Sequence, residues 1–179
     1  MAKFFLIVLL GAIPINLLEE LAIKSKSLSP IMKVADLYIA AGMLEYLPVQ
    51  QPIRENRRVS SSYGFRRDPF TGKSKFHSGI DYACELATTV HATASGVVTS
   101  VGWRGGYGKC IELRHRYGFS TIYAHLSGYY VSPGMDIPAG KVLGFVGTTG
   151  RSTGYHLHYE VRKNNKVVKP LFLDSLWKQ

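Results

Sequence analysis

Alternation between apolar and polar positions is the dominant pattern of the chain from about residue 51 onward. Runs of strand length follow one another, separated by turn residues such as GG (105–106), SPG (132–134) and PAG (138–140). The predicted strands are 96–103 (GVVTSVGW), 109–115 (KCIELRH), 119–126 (FSTIYAHL), 141–147 (KVLGFVG) and 155–162 (YHLHYEVR). Closely spaced strands with no long helical pattern between them predict a mainly β domain built on an antiparallel sheet.

The amino-terminal residues follow a different pattern. An apolar run from Phe4 to Leu18 comes directly after Lys3, which is typical of the hydrophobic region of an export signal. The run is short for a membrane-spanning helix, which needs about 20 residues. We therefore predict a signal peptide or N-terminal membrane anchor over residues 1–24. A cleaved signal, an uncleaved anchor and an ordinary buried helix stay open as alternatives.

Residues 25–50 are predicted to form a linker that contains one short amphipathic helix. Apolar side chains recur three or four positions apart in PIMKVADLYIAAGMLEYL (30–47). Pro30 suits the first turn of a helix and Pro48 ends it. Residues 30–50 either restrain the domain that follows or only space it from the membrane. The predicted β domain then occupies residues 51–179.

Length, composition and charge narrow the class of protein. A chain of 179 residues is enough for one domain with a single core, and 46% apolar with 19% charged residues excludes a disordered protein. The net charge is +10, while residues 1–50 hold four basic and four acidic groups, so the basic excess belongs to the β domain. Such an excess favours polyanionic surroundings, namely nucleic acid, anionic lipid or an acid-bearing cell-wall polymer.

The chain has two cysteines, Cys84 and Cys110. Outside the cytoplasm two thiols can pair, and closing this loop would add about 3 kcal/mol of stability in the chain-entropy model. Pairing requires Cα atoms within about 7 Å of each other. A disulfide and two buried thiols therefore remain equal alternatives.

Histidines and one aspartate carry the candidate chemistry. His77 and Asp81 lie four positions apart in HSGID, where Gly79 lets the backbone bend. His156 and His158, in HLH, project from one face of the last predicted strand, because side chains at i and i+2 share a face. Two histidines and one carboxylate are a common ligand set of catalytic zinc, which keeps its fourth position for water.

The other side chains around these motifs are predicted to have structural rather than catalytic roles. The opposite face of the last strand is predicted to face the core: Tyr155, Leu157, Tyr159 and Val161. Glu160 shares the face of His158, and we interpret it as a surface charge rather than a partner of that ring. His91 and His115 are interpreted as hydrogen-bonded structural residues.

Taken in order, the motifs resemble those of a known family. HSGID, YAHLS and STGYHLHYEV occur in sequence within Gly-rich surroundings, and the likeness runs from about Val59 to Leu173, about two thirds of the chain. The sequence resembles the LytM or lysostaphin type of zinc metallopeptidase, which hydrolyses peptide cross-links of bacterial peptidoglycan. The resemblance implies the LytM-type fold, an antiparallel sheet with an open groove and a duplicated hybrid motif, placed in the extracytoplasmic cell envelope, either periplasm or cell wall.

The resemblance also implies roles for five residues. One Zn²⁺ per chain would be bound by His77, Asp81 and His158, and hydrolysis would use a water activated by the metal. The catalytic residues beside the metal would be His125 of YAHLS and His156, the first histidine of HLH. Which of these two acts as the base stays open.

Two other functions are alternatives to a hydrolase. Some members of the same family lack metal ligands and serve as wall-binding or amidase-activating modules, whereas all five positions are present here. A basic domain that binds nucleic acid would interleave aromatic residues with Lys or Arg on one exposed face, but Tyr123, Tyr155 and Tyr159 alternate with histidines. The expected partners are thus peptidoglycan cross-links and no nucleic acid, with membrane association through residues 4–18 open, a regulatory protein unidentified and the cleaved bond unspecified.

Overall fold

The computed structural model describes residues 42–54 and 57–172. The predicted signal or anchor over 1–24 and most of the predicted helix over 30–47 lie outside the described residues. At the end of that segment Leu44–Tyr46 form a short 3₁₀ helix. Across residues 42–54 and 57–172, no helix is both long and apolar enough to cross a membrane.

Short strands make up most of the described chain. The strands are β1 (Arg58–Ser61), β2 (Gly64–Arg67), β3 (Ser74–His77), β4 (Ile80–Ala83), β5 (Thr89–His91), β6 (Gly96–Trp103), β7 (Lys109–His115), β8 (Phe119–Ala124), β9 (Leu126–Tyr129), β10 (Asp136–Ile137), β11 (Val142–Val146), β12 (His156–Lys163) and β13 (Lys166–Val168). Two further 3₁₀ helices, Gly105–Tyr107 and Arg116–Gly118, stand before β7 and β8.

The strands form three antiparallel sheets. The large sheet has the order β1-β4-β12-β8-β7-β6-β10, with β13 paired to β12. A small sheet has the order β5-β11-β9, and β2 with β3 makes a separate hairpin. The mainly β, antiparallel fold predicted from the sequence is thus confirmed.

A buried polar contact joins the small sheet to the large one. Thr93, just after β5, accepts or donates hydrogen bonds through Oγ1 to the hydroxyls of Tyr123 at 3.0 Å and Tyr159 at 2.8 Å. These two tyrosines are fully buried on β8 and β12. Because their hydroxyls have partners, the large rings fill the core without leaving an unsatisfied polar atom.

The core face of β12 agrees with the prediction except at its first position. Leu157, Tyr159 and Val161 are buried as predicted. Tyr155 is 49% exposed, so its assignment to the core was wrong. The strand begins only at His156, and Tyr155 therefore lies in the preceding loop, where the alternation of a strand no longer determines its direction.

Four of the five predicted strands are found with ends that lie within one residue of the predicted ones. The strands at 96–103 and 109–115 are found with the predicted bounds, and those at 141–147 and 155–162 shift by one residue at each end. The single strand predicted over 119–126 is wrong, because His125 adopts φ 61° and separates β8 from β9. A left-handed residue breaks the strand ladder.

The two cysteines are unpaired. Cys84 directly follows β4 and Cys110 lies in β7, and the strands β12 and β8 stand between them. Strands β4 and β7 are therefore three strand spacings of about 4.8 Å apart, which is well beyond the reach of a disulfide. Burial raises the pKa of both thiols, so both remain in the neutral form.

His91 and His115, which were predicted to have structural roles, are both buried. His115 donates from Nδ1 to the carbonyl of Ser95 at 2.9 Å, and its Nε2 accepts from the hydroxyl of Thr121 at 2.8 Å. Burial lowers the pKa of His115 to about 4. His91 differs from the expectation, because its Nδ1 finds no hydrogen-bond partner within the described ranges.

Candidate metal centre

Three side chains from two distant segments meet at one point of the large sheet. Nε2 of His77 lies 3.1 Å from Oδ1 of Asp81 and 3.1 Å from Nδ1 of His158. Nδ1 of His158 lies 2.7 Å from the same carboxylate oxygen. The three atoms therefore form a compact triangle of potential metal donors.

The pairing of β4 with β12 brings these residues together. Asp81 on β4 stands opposite His158 on β12 in the antiparallel register, while His77 ends β3, just before the turn into β4. A Cβ on Gly79 in that turn would lie 2.3 Å from the carbonyl oxygen of Tyr159 and 2.9 Å from Cε1 of His158. Only glycine allows the turn to approach β12 this closely.

The second nitrogen of each imidazole determines where its lone pair points. Nδ1 of His77 donates to the carbonyl of Ser62 at 2.9 Å, which leaves a lone pair on Nε2. Nε2 of His158 donates to Glu160 at 3.1 Å, so Nδ1 is the nitrogen that faces the triangle and would bind a metal once the proton it shares with Asp81 is displaced. One nitrogen of each imidazole and a carboxylate oxygen thus face one another, an arrangement that suits a cation.

The spacing of the three donor atoms fits a zinc ion. Zinc bonds to nitrogen and oxygen are about 2.0–2.2 Å long in tetrahedral sites, so neighbouring ligand atoms stand about 3.3 Å apart. The observed separations of 2.7 to 3.1 Å need only a small outward movement to reach that value. The chemistry of the set, nitrogen with one carboxylate, also suits zinc.

The ionisation of the same groups favours positive charge at this point. Burial alone would raise the pKa of Asp81, but its contacts with the imidazoles of His158 and His77 hold that pKa well below its usual range. Burial alone would lower the pKa of His158, but hydrogen bonds to Asp81 and Glu160 outweigh it and raise the pKa to about 9. Carboxylates that hold a proton on a buried imidazole would also attract a divalent cation.

His125 lies beside the triangle and is held there by unusual backbone geometry. Its backbone N–H donates to the carbonyl of Tyr107 at 2.9 Å, and its Nδ1 donates to the carbonyl of Thr149 at 2.8 Å. These two bonds offset the cost of its positive φ. Its ring centroid stands 5.9 Å from that of His158, within reach of a group bound at the triangle.

The position of Thr149 depends on two glycines. A Cβ on Gly108 would lie 2.4 Å from the carbonyl carbon of Thr149, and one on Gly150 would lie 2.3 Å from the backbone nitrogen of Gly108. Both glycines also have positive φ. This close contact between two loops places the carbonyl that orients His125.

His156 completes a pair of imidazoles. Its ring centroid is 4.6 Å from that of His125. Nδ1 of His156 lies 2.8 Å from the carbonyl of Gly154, to which it donates. Both rings therefore use Nδ1 to donate to a backbone carbonyl, and Nε2 is the free nitrogen of each.

An open groove of about 410 Å³ contains all five predicted site residues. One wall comes from the hairpin β2–β3 and its tip, and another from the loop between β11 and β12. Across the groove, Arg151 of that loop contacts Asp68 of the hairpin tip at 3.0 Å. The five predicted residues are thus brought together in one solvent-accessible cleft.

Glu160 was wrongly predicted to be a surface charge. It is fully buried, and its carboxylate accepts hydrogen bonds from Tyr107 at 2.7 Å, from His158 and from the side chain of Ser78. Arg162 pairs with its other oxygen at 2.9 Å. The burial comes from the 3₁₀ helix and turn that cover β12 at this point, which strand alternation alone does not reveal.

Two further groove residues escaped sequence reasoning. Tyr107 comes from the 3₁₀ helix before β7, and its ring stands 5.7 Å from that of His158. Arg66 on β2 contacts the second carboxylate oxygen of Asp81 at 3.5 Å. Neither belongs to a histidine motif, and only the three-dimensional approach of separate elements identifies them.

Comparison with known proteins identifies a family to which the chain is similar. The family model described as Peptidase family M23 matches residues 75–170. A protein named DD-carboxypeptidase/endopeptidase Mpg, from Neisseria meningitidis, is 48% identical over 114 residues, which cover 64% of this chain and 26% of the relative. The chain therefore spans about a quarter of the length of this curated relative.

Solved structures show the same fold. A zinc-containing peptidase from Vibrio cholerae superposes with a TM-score of 0.62 at 31% identity, covering 70% of this chain and 39% of that one. The catalytic domain of lysostaphin from Staphylococcus simulans superposes with a TM-score of 0.58 at 32% identity, covering 64% and 89%. The similarity to lysostaphin thus extends over nearly the whole of that catalytic domain.

Proposed function

The chain belongs to peptidase family M23, and on this premise we propose that it is a zinc-dependent endopeptidase that hydrolyses peptide cross-links of bacterial peptidoglycan. The observation that carries the proposal is the triangle of Nε2 of His77, Oδ1 of Asp81 and Nδ1 of His158, with all sides between 2.7 and 3.1 Å. The family membership agrees with the resemblance to LytM and lysostaphin peptidases.

The proposed metal ligands are His77, Asp81 and His158. A zinc ion held by them would supply a Lewis acid and lower the pKa of a bound water toward about 7. Asp81 stays ionised because its pKa is held below its usual range. The hydrogen bonds to Ser62 and Glu160 keep Nε2 of His77 and Nδ1 of His158 directed at the same point.

His125 is assigned the role of proton acceptor. Burial, and then the neighbouring His156 and His158, lower its pKa to about 4, although its bond to Thr149 acts in the opposite direction. Its ring is therefore neutral near pH 7, with the free lone pair on Nε2. A neutral imidazole beside the attacking water can take the proton that the water loses.

His156 is assigned the role of donor to the substrate. It lies next to His125 and is less buried than that residue. From there its Nε2, when protonated, can donate a hydrogen bond to the oxygen of the scissile carbonyl or a proton to the leaving amine. The pair of imidazoles thus handles the protons of peptide hydrolysis.

Peptidoglycan is proposed as substrate because of the named relatives and the charge of the groove. The relatives include proteins named peptidoglycan DD-endopeptidases. Arg66, Lys75 and Arg151 line the groove, and within the described residues Nε of Arg66 is buried without a hydrogen-bond partner. These three cationic groups outnumber the two groove carboxylates with which they pair, Asp68 and Asp81, and therefore suit the carboxylates of wall peptides.

The proposed place of action is the extracytoplasmic envelope, where peptidoglycan lies. The division into a signal or anchor (1–24), a linker (25–50) and a peptidase domain (51–179) belongs to the same proposal. The apolar run over 4–18 supports it. A wall-binding or amidase-activating module without catalysis is the alternative, and the presence of all five site residues in one groove favours the enzyme.

Digestion of isolated peptidoglycan tests the proposed function. We expect the purified chain loaded with zinc to release soluble muropeptides, to lose this activity when the metal is removed with a chelator and to regain it with zinc. Magnesium should not restore activity, because it prefers all-oxygen sites. Mass analysis of the fragments identifies the bond that is cleaved.

The controls separate the two candidate functions. Digestion that is unaffected by complete removal of metal would contradict the zinc mechanism. Zinc binding without any hydrolysis of peptidoglycan or of defined cross-linked muropeptides would instead favour the non-catalytic module.

A further inference from the structure

We propose that Glu160 is a positioning residue for the metal centre, which holds His158 in the tautomer and orientation that bind zinc. The proposal rests on the proposed function, since it concerns the same site. Glu160 does not touch the donor triangle and acts on it through the ring of His158 and through the turn that carries Ser78. The inference rests on the hydrogen bonds that the two carboxylate oxygens of Glu160 accept.

The carboxylate of Glu160 has no exposed surface, and burying a charge is unfavourable unless it is fully hydrogen-bonded. Oε2 accepts two hydrogen bonds from Arg162, from Nε at 3.1 Å and Nη2 at 2.9 Å. This pair alone would be a common structural ion pair, and the side chain of Arg162 is 26% exposed. The other oxygen has a different set of partners.

Oε1 faces the metal centre. It accepts from Nε2 of His158 at 3.1 Å, from the hydroxyl of Tyr107 at 2.7 Å and from the hydroxyl of Ser78. The group beside His158 is thus a carboxylate held in place by five hydrogen bonds, two of them from the guanidinium of Arg162.

An anion at Nε2 determines the tautomer of the ring. When Nε2 carries the proton, Nδ1 has the lone pair that points at His77 and Asp81. In the other tautomer a proton on Nδ1 would occupy the donor triangle and exclude a metal ion. Ligating histidines commonly donate their second N–H to a carboxylate or carbonyl, which also makes the ligating nitrogen more basic.

The two histidines of the triangle are supported differently. His77 donates to the neutral backbone carbonyl of Ser62, which any residue at position 62 would supply. His158 donates to the side chain of Glu160, a carboxylate paired with Arg162. The contribution of the side chain at 160 can therefore be measured by substitution, whereas the support of His77 cannot.

The same carboxylate also ties the two halves of the site together. Ser78 follows His77 directly in the turn between β3 and β4, and Tyr107 comes from the 3₁₀ helix before β7. Their hydroxyls converge on the glutamate of β12. Glu160 thus fixes the strand that carries His158 against the turn between His77 and Asp81.

The variant Glu160→Gln tests the proposal on the full chain. Glutamine keeps the size of the side chain but removes its charge. We expect zinc affinity, measured by competition with a chromophoric chelator, to fall about 10- to 100-fold, the usual effect of mutating a partner of a ligating histidine, because a neutral amide oxygen holds the Nε2 proton less strongly than a carboxylate does. Turnover should recover in part at excess zinc, because Glu160 does not contact the substrate.

A matched control is Glu112→Gln. Glu112 lies on β7, two strands from Glu160 in the register of the sheet, and pairs with Arg104 at 2.7 Å. The same loss of charge beside an arginine should leave zinc affinity unchanged. Unchanged zinc affinity in folded Glu160→Gln, or an equal loss in both variants, would overturn the positioning role.

A second measurement does not depend on the folding of any variant. Imidazole nitrogen shifts of His158 in the zinc-bound wild-type protein should show Nδ1 bound to metal and Nε2 protonated. Metal on Nε2, or no proton there, would overturn the proposal. A wild-type chain that binds no zinc would instead contradict the proposed function, so the two failures are distinguishable.

Discussion

Replacing His158 with alanine should abolish both zinc retention and hydrolysis. The substitution removes one of three donor atoms and leaves Asp81 and Glu160 without the imidazole to which both are bonded. Loss of a direct ligand should exceed the 10- to 100-fold typical of an outer partner, so we expect zinc affinity to fall by more than about 100-fold. Elemental analysis after dialysis and release of muropeptides are the two measurements.

His91→Ala is the matched control for this variant. His91 is also a buried histidine but lies on β5 of the small sheet, apart from the residues that line the groove. It should keep one zinc per chain and normal hydrolysis. If His158→Ala retained stoichiometric zinc after the same dialysis, His158 would not be a ligand.

Replacing His125 with alanine should keep zinc but lower turnover by about 100- to 10,000-fold, the usual contribution of a general base. The ring lies beside the donor triangle but is not part of it, since its Nδ1 is bonded to the carbonyl of Thr149. The loss should appear in kcat and not in zinc content. The experiment combines zinc analysis with steady-state kinetics on a defined muropeptide.

The outcome for His125→Ala separates two roles. Near-normal turnover with bound zinc would remove His125 from the chemistry. Loss of zinc together with turnover would make it part of the metal centre instead. The positive φ of His125 adds a further effect, since alanine at this position keeps the backbone strain but loses the hydrogen bond to Thr149 that offsets it.

The sequence predicted those features of the site that depend on short-range geometry. His156 and His158 share a face because the strand period is two, and the structure has both on the groove side of β12. Gly79 between His77 and Asp81 marked a bend, and the bend is required by the close approach of β12. These positions are fixed by local backbone rules.

The parts that escaped prediction depend on contacts between distant segments. His125 breaks the strand 119–126 because the carbonyls of Tyr107 and Thr149 hold it in a left-handed conformation. Glu160 is buried because Tyr107 and Ser78 close over it. Neither approach is encoded in a local pattern, so alternation along β12 was compatible with an exposed Glu160.

The central claim is that one divalent cation is held by His77, Asp81 and His158. Diffraction data collected on either side of the zinc absorption edge, from crystals of the zinc-loaded protein, test it most directly. We predict one anomalous peak per chain, about 2.0–2.2 Å from Nε2 of His77, an oxygen of Asp81 and Nδ1 of His158. The absence of a peak at this triangle, or a peak bound by other residues, would contradict the account.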